Sequence, residues 1–95
     1  MVVGTLELQL RIEGSYSLKD KRRVLRSLMD RARRDMHVSI AEVGDNELWN
    51  CALLGVAVVS NDAGQAESVL QSVIELTDKS PEIEVEWANK QIERR

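Results

Sequence analysis

The chain of 95 residues has little of several residue types on which particular protein classes depend. It has one cysteine, Cys51, so it can form no intramolecular disulfide, and it lacks the clustered thiolates of zinc and iron–sulfur sites. Its longest apolar run, Ala52 to Val59, is far shorter than the roughly 20 residues that span a bilayer. No charged-then-apolar leader begins the chain. The sequence therefore predicts a cytoplasmic protein with no cofactor, metal site or membrane partner.

Aromatic residues are scarce as well, since Tyr16, Trp49 and Trp87 are the only three. A chain this short has room for one domain, which hides roughly 60–65% of its unfolded surface on folding. The 43% of hydrophobic residues can form one core without disulfides or metals. We expect a single domain over residues 1–95, with a polar tail from about residue 89.

Alternation of apolar and polar residues, together with turn residues, divides the chain into six elements. The predicted elements are a strand at 2–12, a helix from 18 to about 35, strands at 36–43 and 49–60, a second helix between caps at 60–62 and a break at 80–81, and a strand at 82–88. In the last strand, Ile83, Val85 and Trp87 are predicted to share one face, opposite three glutamates.

This order of elements predicts an α+β fold of the ferredoxin-like βαββαβ type. Four strands form one antiparallel sheet, with strands one and three central and both helices on one face. The other face stays open. Strand three would present to it either the even row from Asn50 to Val58 or the odd row from Trp49 to Val59. Because either row is apolar, we expect a homodimer that buries this face, the alternative being a face screened by neighbouring charged side chains.

Residues that could carry catalysis are few. His37 is the only histidine, and no serine, cysteine or carboxylate lies at an evident triad spacing from it. Cys51 lies in an apolar strand, where a thiol usually acts as a small hydrophobic group. Glu82, Glu84 and Glu86 alternate on the last strand, where charge commonly prevents edge-to-edge pairing. The first strand has no aromatic residue on which an RNA-recognition motif could stack bases. We therefore predict a non-enzymatic protein.

Positive charge is concentrated in the first helix. Between Leu18 and Asp35 there are eight basic and three acidic residues, so this segment carries +5 and the rest of the chain −8. The basic residues of its first turns are Lys19, Lys21, Arg22 and Arg23. Cations are disfavoured there by the helix dipole, which suggests a functional reason for their presence. With the Ser15 and Ser17 hydroxyls and the free N–H groups of the helix start, they predict an anion site suited to phosphate.

The same helix carries a longer basic stripe. Its members, within about 60° of one another on the helical wheel, are Lys19, Arg22, Arg26 and Arg33. At 1.5 Å per residue the stripe is some 20 Å long, which matches several phosphates of a nucleic-acid backbone. A patch for an acidic protein and a simply solvated helix face remain alternatives.

The segment SLKDKRRVL at residues 17–25, followed by VSIAEVGD at 38–45 and Leu48-Trp49, resembles the YlxP family, a bacterial domain of unknown function. The resemblance covers nearly the whole chain and implies a ferredoxin-like fold. Members are often encoded beside transcription and translation factors, which implies a ribosome- or RNA-associated role. The family has no established binding residues to carry over. Glu13 and Tyr16 stand where the family pattern leads us to expect proline and arginine.

Two main functions are therefore predicted. The first is a binding module that contacts RNA, with ribosomal RNA as a candidate, through Lys19, Lys21, Arg22, Arg23, Arg26 and Arg33, with Ser15 and Ser17 as anion ligands. The second is a homodimeric protein-interaction domain that docks an acidic partner protein. A small-molecule phosphatase or ligand-sensing domain is a more distant third.

Overall fold

Six elements follow one another in the predicted order in the computed structural model, which describes residues 1–95. They are β1 (Val2–Ile12), α1 (Leu18–Met36), β2 (Ser39–Gly44), β3 (Cys51–Ser60), α2 (Ala63–Asp78) and β4 (Ile83–Arg94). The sheet has the order β2-β3-β1-β4, and every neighbouring pair is antiparallel. The predicted α+β ferredoxin-like fold, with β1 and β3 central, is confirmed.

Both helices form where capping residues and apolar spacing coincide. The carboxylate of Asp62 accepts the backbone N–H of Gln65 and so begins α2, which buries Ala66, Leu70, Val73 and Leu76. The C-terminal end of α1 is capped by His37. The φ of His37 is 53°, in the left-handed region, and its backbone N–H donates to the carbonyl oxygen of Arg33. Because His37 caps the helix, β2 begins at Ser39, later than the predicted residue 36.

The core lies between the helices and one face of the sheet. The even residues of β1 are buried, and three of them, Leu6, Leu8 and Leu10, are at most 1% exposed. At Gly4 the helix comes so close that an added Cβ would lie 3.1 Å from Cδ1 of Leu70. A Cβ at position 4 would therefore require the side chains of Leu70 and Val58 to shift by a few tenths of an ångström.

The end of the chain differs from its prediction. Residues 89–94 form no polar tail, because β4 pairs with β1 as far as the partners Val2 and Arg94. The register shifts along the way: Gln9 pairs with Trp87, whereas Leu10 pairs with Val85. The extra residue at this bulge reverses the side to which the following residues point. Trp87 therefore shares the side of Gln9, and its predicted alignment with Val85 is wrong.

One face of the sheet has no helix over it, as predicted. The even residues of β3 point into the core, so the odd row of that strand occupies the open face. The exposed apolar side chains on the open face of the sheet include Val59 (66% exposed), Val43 (56%) and Trp87 (47%). No helix of the protein is both long and apolar enough to cross a membrane.

Candidate nucleic-acid interface

The first turn of α1 is capped by its own side chains. Ser17 Oγ accepts a hydrogen bond from the backbone N–H of Asp20 at 3.1 Å. The Asp20 carboxylate in turn accepts the backbone N–H of Tyr16 at 3.2 Å. The cap satisfies the N–H of Asp20 in the first turn, and the carboxylate of Asp20 sets a negative charge at the positive end of the helix dipole. Ser17 is therefore a helix cap. The negative charge of the Asp20 carboxylate would repel the phosphate that the sequence predicts at this helix start.

Ser15 lies behind this turn and is only 4% exposed. Its Oγ is 2.6 Å from the Trp49 carbonyl oxygen, to which it donates, and 3.2 Å from that of Ser17. A buried hydroxyl bonded to backbone carbonyls cannot reach a ligand in solvent. Ser15 instead ties the loop between β2 and β3 to the start of α1, and its predicted role as an anion ligand is wrong.

Lys21 differs most from its predicted role. Its side chain is 1% exposed, and Nζ donates to Glu42 Oε2 at 2.8 Å and to the carbonyl oxygens of Asp45 at 2.8 Å and Cys51 at 3.0 Å. These three bonds use all the N–H donors of the ammonium group. Lys21 therefore cannot contact an RNA backbone, and its assignment to the interface is wrong.

The burial of Lys21 follows from its place on α1. Lys21, Leu25, Leu28 and Ala32 are spaced as i, i+4, i+7 and i+11, which is the spacing of one helix face, and all four are buried. At 100° per residue Lys21 lies near the centre of the apolar arc. The position of Lys21 on the apolar face can be read from the sequence, but counting the basic residues of the segment does not reveal it.

Lys21 also organises the loop between β2 and β3. Its two carbonyl acceptors belong to Asp45, at the start of the loop, and Cys51, directly after it. Gln9 of the central strand β1 donates to Asp45 Oδ2 at 2.9 Å and so holds the loop from a second direction. The two segments on which the family resemblance rests, 17–25 and 38–45, thus meet through a buried lysine.

Cys51 is part of the same polar cluster. Its Sγ lies 3.7 Å from Asp45 Oδ2. Burial, and after it the negative charge of Asp45, raise the pKa of the Cys51 thiol above its ordinary value. The thiol is therefore protonated near neutral pH, which is the opposite of what an activated nucleophile requires.

Four cations on the outer side of α1 point into solvent. These residues, named here the basic face, are Lys19, Arg22, Arg23 and Arg26. None of them forms an ion pair or donates a side-chain hydrogen bond within the chain. Together with Ser27 and the carboxylates of Asp20 and Asp30, they line a depression of about 590 Å³ to which no hydrophobic residue contributes. Guanidinium groups offer forked N–H donors that fit phosphate oxygens, so the depression suits a phosphate-rich ligand.

The two carboxylates that border the basic face are engaged elsewhere. Asp20 accepts hydrogen bonds at the helix start, and Asp30 lies 3.3 Å from Nη1 of Arg33. Neither forms an ion pair with a residue of the basic face. No residue of the basic face is therefore neutralised by an ion pair, although the carboxylate of Asp20 adds negative charge beside it.

Arg33 belongs to the predicted stripe but is partly occupied. Besides the contact with Asp30, its Nη2 donates to the carbonyl oxygen of Ile40 at 2.8 Å, which joins α1 to β2. Its side chain is still 48% exposed. We expect Arg33 to contribute less to phosphate binding than the basic face does, because much of its donor capacity is used internally.

An aromatic pair lies just before the basic face. The rings of Tyr16 and Trp49 stack at a centroid distance of 6.4 Å and an interplanar angle of 24°. Both are exposed, Tyr16 by 82% and Trp49 by 45%. Sequence reasoning assigns them no shared role, because 33 positions separate them and only the fold brings them together.

Comparison with known proteins identifies relatives of this sequence. A family model described as "Protein of unknown function (DUF503)" matches residues 3–89. The chain is also 37% identical, over 83 residues, to the "Uncharacterized protein YlxP" of Bacillus subtilis (strain 168). That alignment covers 87% of this chain and 90% of the Bacillus protein.

Solved structures of designed proteins share the fold. The de novo protein LFR1 1, with ferredoxin fold, matches with a TM-score of 0.60 and 11% identity over 100% of this chain and 88% of its own. The de novo protein Foldit4 matches with a TM-score of 0.55 and 10% identity over 98% of each chain. At such low identity the likeness shows the fold alone.

Proposed function

This chain belongs to the DUF503 family, and since that family is of unknown function, we propose one from the surface of the protein: it is a non-enzymatic module that binds RNA phosphates through the basic face. One observation carries the proposal. The four cations of the basic face are exposed on one side of one helix and have no partner within an otherwise acidic chain.

The dimensions of the basic face suit a short stretch of backbone. Lys19 and Arg26 are seven residues apart, which is roughly 10 Å along α1. Each cation that neutralises a phosphate releases condensed counterions, so such binding weakens steeply as salt rises. RNA, and ribosomal RNA as the first to test, is the ligand that the resemblance to the YlxP family implies. The proposed location is accordingly the cytoplasm.

Charge reversal tests this proposal directly. In Arg22→Glu/Arg26→Glu the basic face loses its net attraction for phosphate, so affinity for fluorescently labelled RNA, measured by anisotropy at low salt, should fall at least about tenfold. The matched control is Arg94→Glu/Arg95→Glu, which changes net charge equally at the far end of β4, beside Val2. Equal affinity of the two variants would show that RNA does not contact the basic face.

A second candidate function rests on the open sheet face. Val59, Val43 and Trp87 leave apolar surface in water, and a homodimer that buries this surface would be stabilised by the area it removes from solvent. In this candidate the basic face docks an acidic partner protein instead of RNA.

Light scattering distinguishes the second candidate. A dimer for the parent protein and a monomer for Val59→Glu would support burial of the open face, because a buried unpaired carboxylate is costly. A parent protein that stays monomeric at high concentration would remove this candidate. Loss of bound partners from the basic face on nuclease treatment would favour RNA over an acidic protein.

A further inference from the structure

We propose that the Tyr16–Trp49 pair is a stacking platform for an unpaired base, so that the RNA held by the basic face is single-stranded where it passes this pair. The inference rests on the proposed RNA binding and specifies the form of RNA that is bound. It is carried by three observations: the exposure of the rings, their place beside unpaired cations, and the contacts that fix them.

Tyr16 lies close in sequence to the first cation of the basic face. Tyr16 immediately precedes the cap of α1, and Lys19, the first cation of the basic face, follows three residues later. With Tyr16 82% exposed, the pair presents an aromatic surface to solvent rather than to the core. Single-stranded nucleic acids are commonly bound by this combination, a positively charged track for phosphates and aromatic side chains on which bases stack.

The platform is fixed by buried polar contacts. Ser15 Oγ donates to the carbonyl oxygen of Trp49 at 2.6 Å, and Lys21 Nζ bonds the carbonyl oxygens of Asp45 and Cys51, which bracket the loop that carries Trp49. A ring on a backbone that is held in this way loses less conformational freedom when a base stacks on it. Ser15 and Lys21 are thus positioning residues: they hold the loop that carries Trp49 beside the start of α1.

An unpaired base is required for chemical reasons. In a duplex, each interior base is stacked between its neighbours and has no free face, and the deep, narrow major groove of A-form RNA excludes side chains. A duplex can offer its phosphates to the basic face, but it cannot offer an interior base to Tyr16. The proposal therefore separates phosphate contact, which both forms allow, from stacking, which only the single strand allows.

Tryptophan fluorescence reports on stacking at the platform itself. The chain has two tryptophans, so Trp87→Phe leaves Trp49 as the only one. Titration of this variant with a single-stranded RNA oligonucleotide should quench Trp49, whereas the same sequence in a duplex should not. In the matched variant Trp49→Phe, the remaining reporter Trp87 lies on the open sheet face, and its emission should stay constant while anisotropy shows that the single strand is bound.

Affinity gives an independent readout. Tyr16→Ala should weaken binding of the single strand by about 5- to 150-fold, the usual range for losing one base–aromatic stack, and should leave duplex binding unchanged. Tyr16→Phe keeps the ring and should bind like the parent. Because Tyr16 is highly exposed, both variants should retain the circular dichroism spectrum of the parent.

The possible failures are distinguishable. If the parent protein binds neither RNA form, the proposed function fails and the stacking inference fails with it. If the parent binds both forms, but Trp49 is not quenched and Tyr16→Ala binds the single strand as tightly as the parent does, the stacking inference is overturned while RNA binding through the basic face stands.

Discussion

On its inner side α1 buries one cation, Lys21, and on its outer side it exposes the four cations of the basic face. The inner cation is bonded to a carboxylate and two carbonyl oxygens of β2, β3 and their connecting loop. The outer cations have no partner in the chain. Residues of the same charge, adjacent in sequence at positions 21 and 22, thus have opposite environments.

This difference shows what a run of basic residues can and cannot indicate. The number of basic residues in a segment sets the largest positive potential that the segment could produce at the surface. The angle of each residue around the helix decides which of these side chains reach the surface. Lys21 differs from Arg22 by 100° around α1, enough to move it from solvent into the core. An interface predicted from composition must therefore be divided by helix face before residues are assigned to it.

The largest expected effect comes from the inner cation. Lys21→Met keeps an unbranched side chain but removes the donor to Glu42 and to the carbonyl oxygens of Asp45 and Cys51, of which Asp45 keeps the backbone N–H of Leu48. Removing one partner of a buried ion pair is strongly destabilising, so the free energy of unfolding should fall by about 3 kcal/mol in urea denaturation.

Arg22→Met is the matched control for the outer side. It removes an exposed cation with no partner, so its free energy of unfolding should stay within about 0.5 kcal/mol of the parent value. The proposed difference between the inner and outer sides of α1 would be contradicted if Lys21→Met lowered the free energy of unfolding by less than about 1 kcal/mol. The same free-energy loss in both variants would also contradict it.

A smaller effect is expected at the cap of α1. Ser17→Ala removes the oxygen that accepts the Asp20 N–H, and the loss should be about 1 kcal/mol of unfolding free energy. Ser27→Ala makes the same chemical change on an exposed interior turn of α1, where alanine is the better helix former, so it should be neutral or slightly stabilising. If Ser17→Ala left stability intact and instead weakened RNA binding, Ser17 would be a ligand as the sequence first suggested.

The smallest effect concerns the polar cluster around Lys21. Because burial and Asp45 raise the pKa of Cys51, less thiolate is present at pH 8 than in the unfolded chain, and alkylation by iodoacetamide should be slower in the folded protein. Asp45→Asn removes the charge contribution, so the midpoint of the rate–pH profile should move to lower pH. Asp30→Asn, beside the basic face, should leave the profile unchanged, and a profile insensitive to Asp45→Asn would exclude this carboxylate as a cause.

Much of the fold could be predicted because local and global signals agree. β1 has the predicted bounds, since the alternation of polar and apolar residues from Thr5 to Ile12 matches its central, half-buried place. The end of β4 could not be predicted in the same way. Residues 89–94 are polar and have weak strand character, and their strand conformation depends on hydrogen bonds to β1, which lies more than 80 residues away in sequence. The bulge before Trp87 also reverses the alternation on which prediction relies.

The candidate site could be predicted only in part. The exposed cations are visible as charge on one helix, and the structure keeps Lys19, Arg22, Arg23 and Arg26 together. The burial of Lys21 could be predicted from its angle on the helical wheel. Ser15 and the Tyr16–Trp49 pair could not be predicted in this way, because their contacts join the start of α1 to a loop more than 30 residues later, and such contacts exist only once the sheet has formed.

The salt dependence of RNA binding tests most directly whether the basic face contacts phosphates. For a single strand, each neutralised phosphate contributes roughly 0.7 to the slope of log K against log salt concentration. Removing two cations, as in Arg22→Gln/Arg26→Gln, should therefore reduce the slope of the parent protein by about 1.4. A slope equal to that of the parent would contradict the account, because it would mean that these two arginines release no counterions when RNA binds.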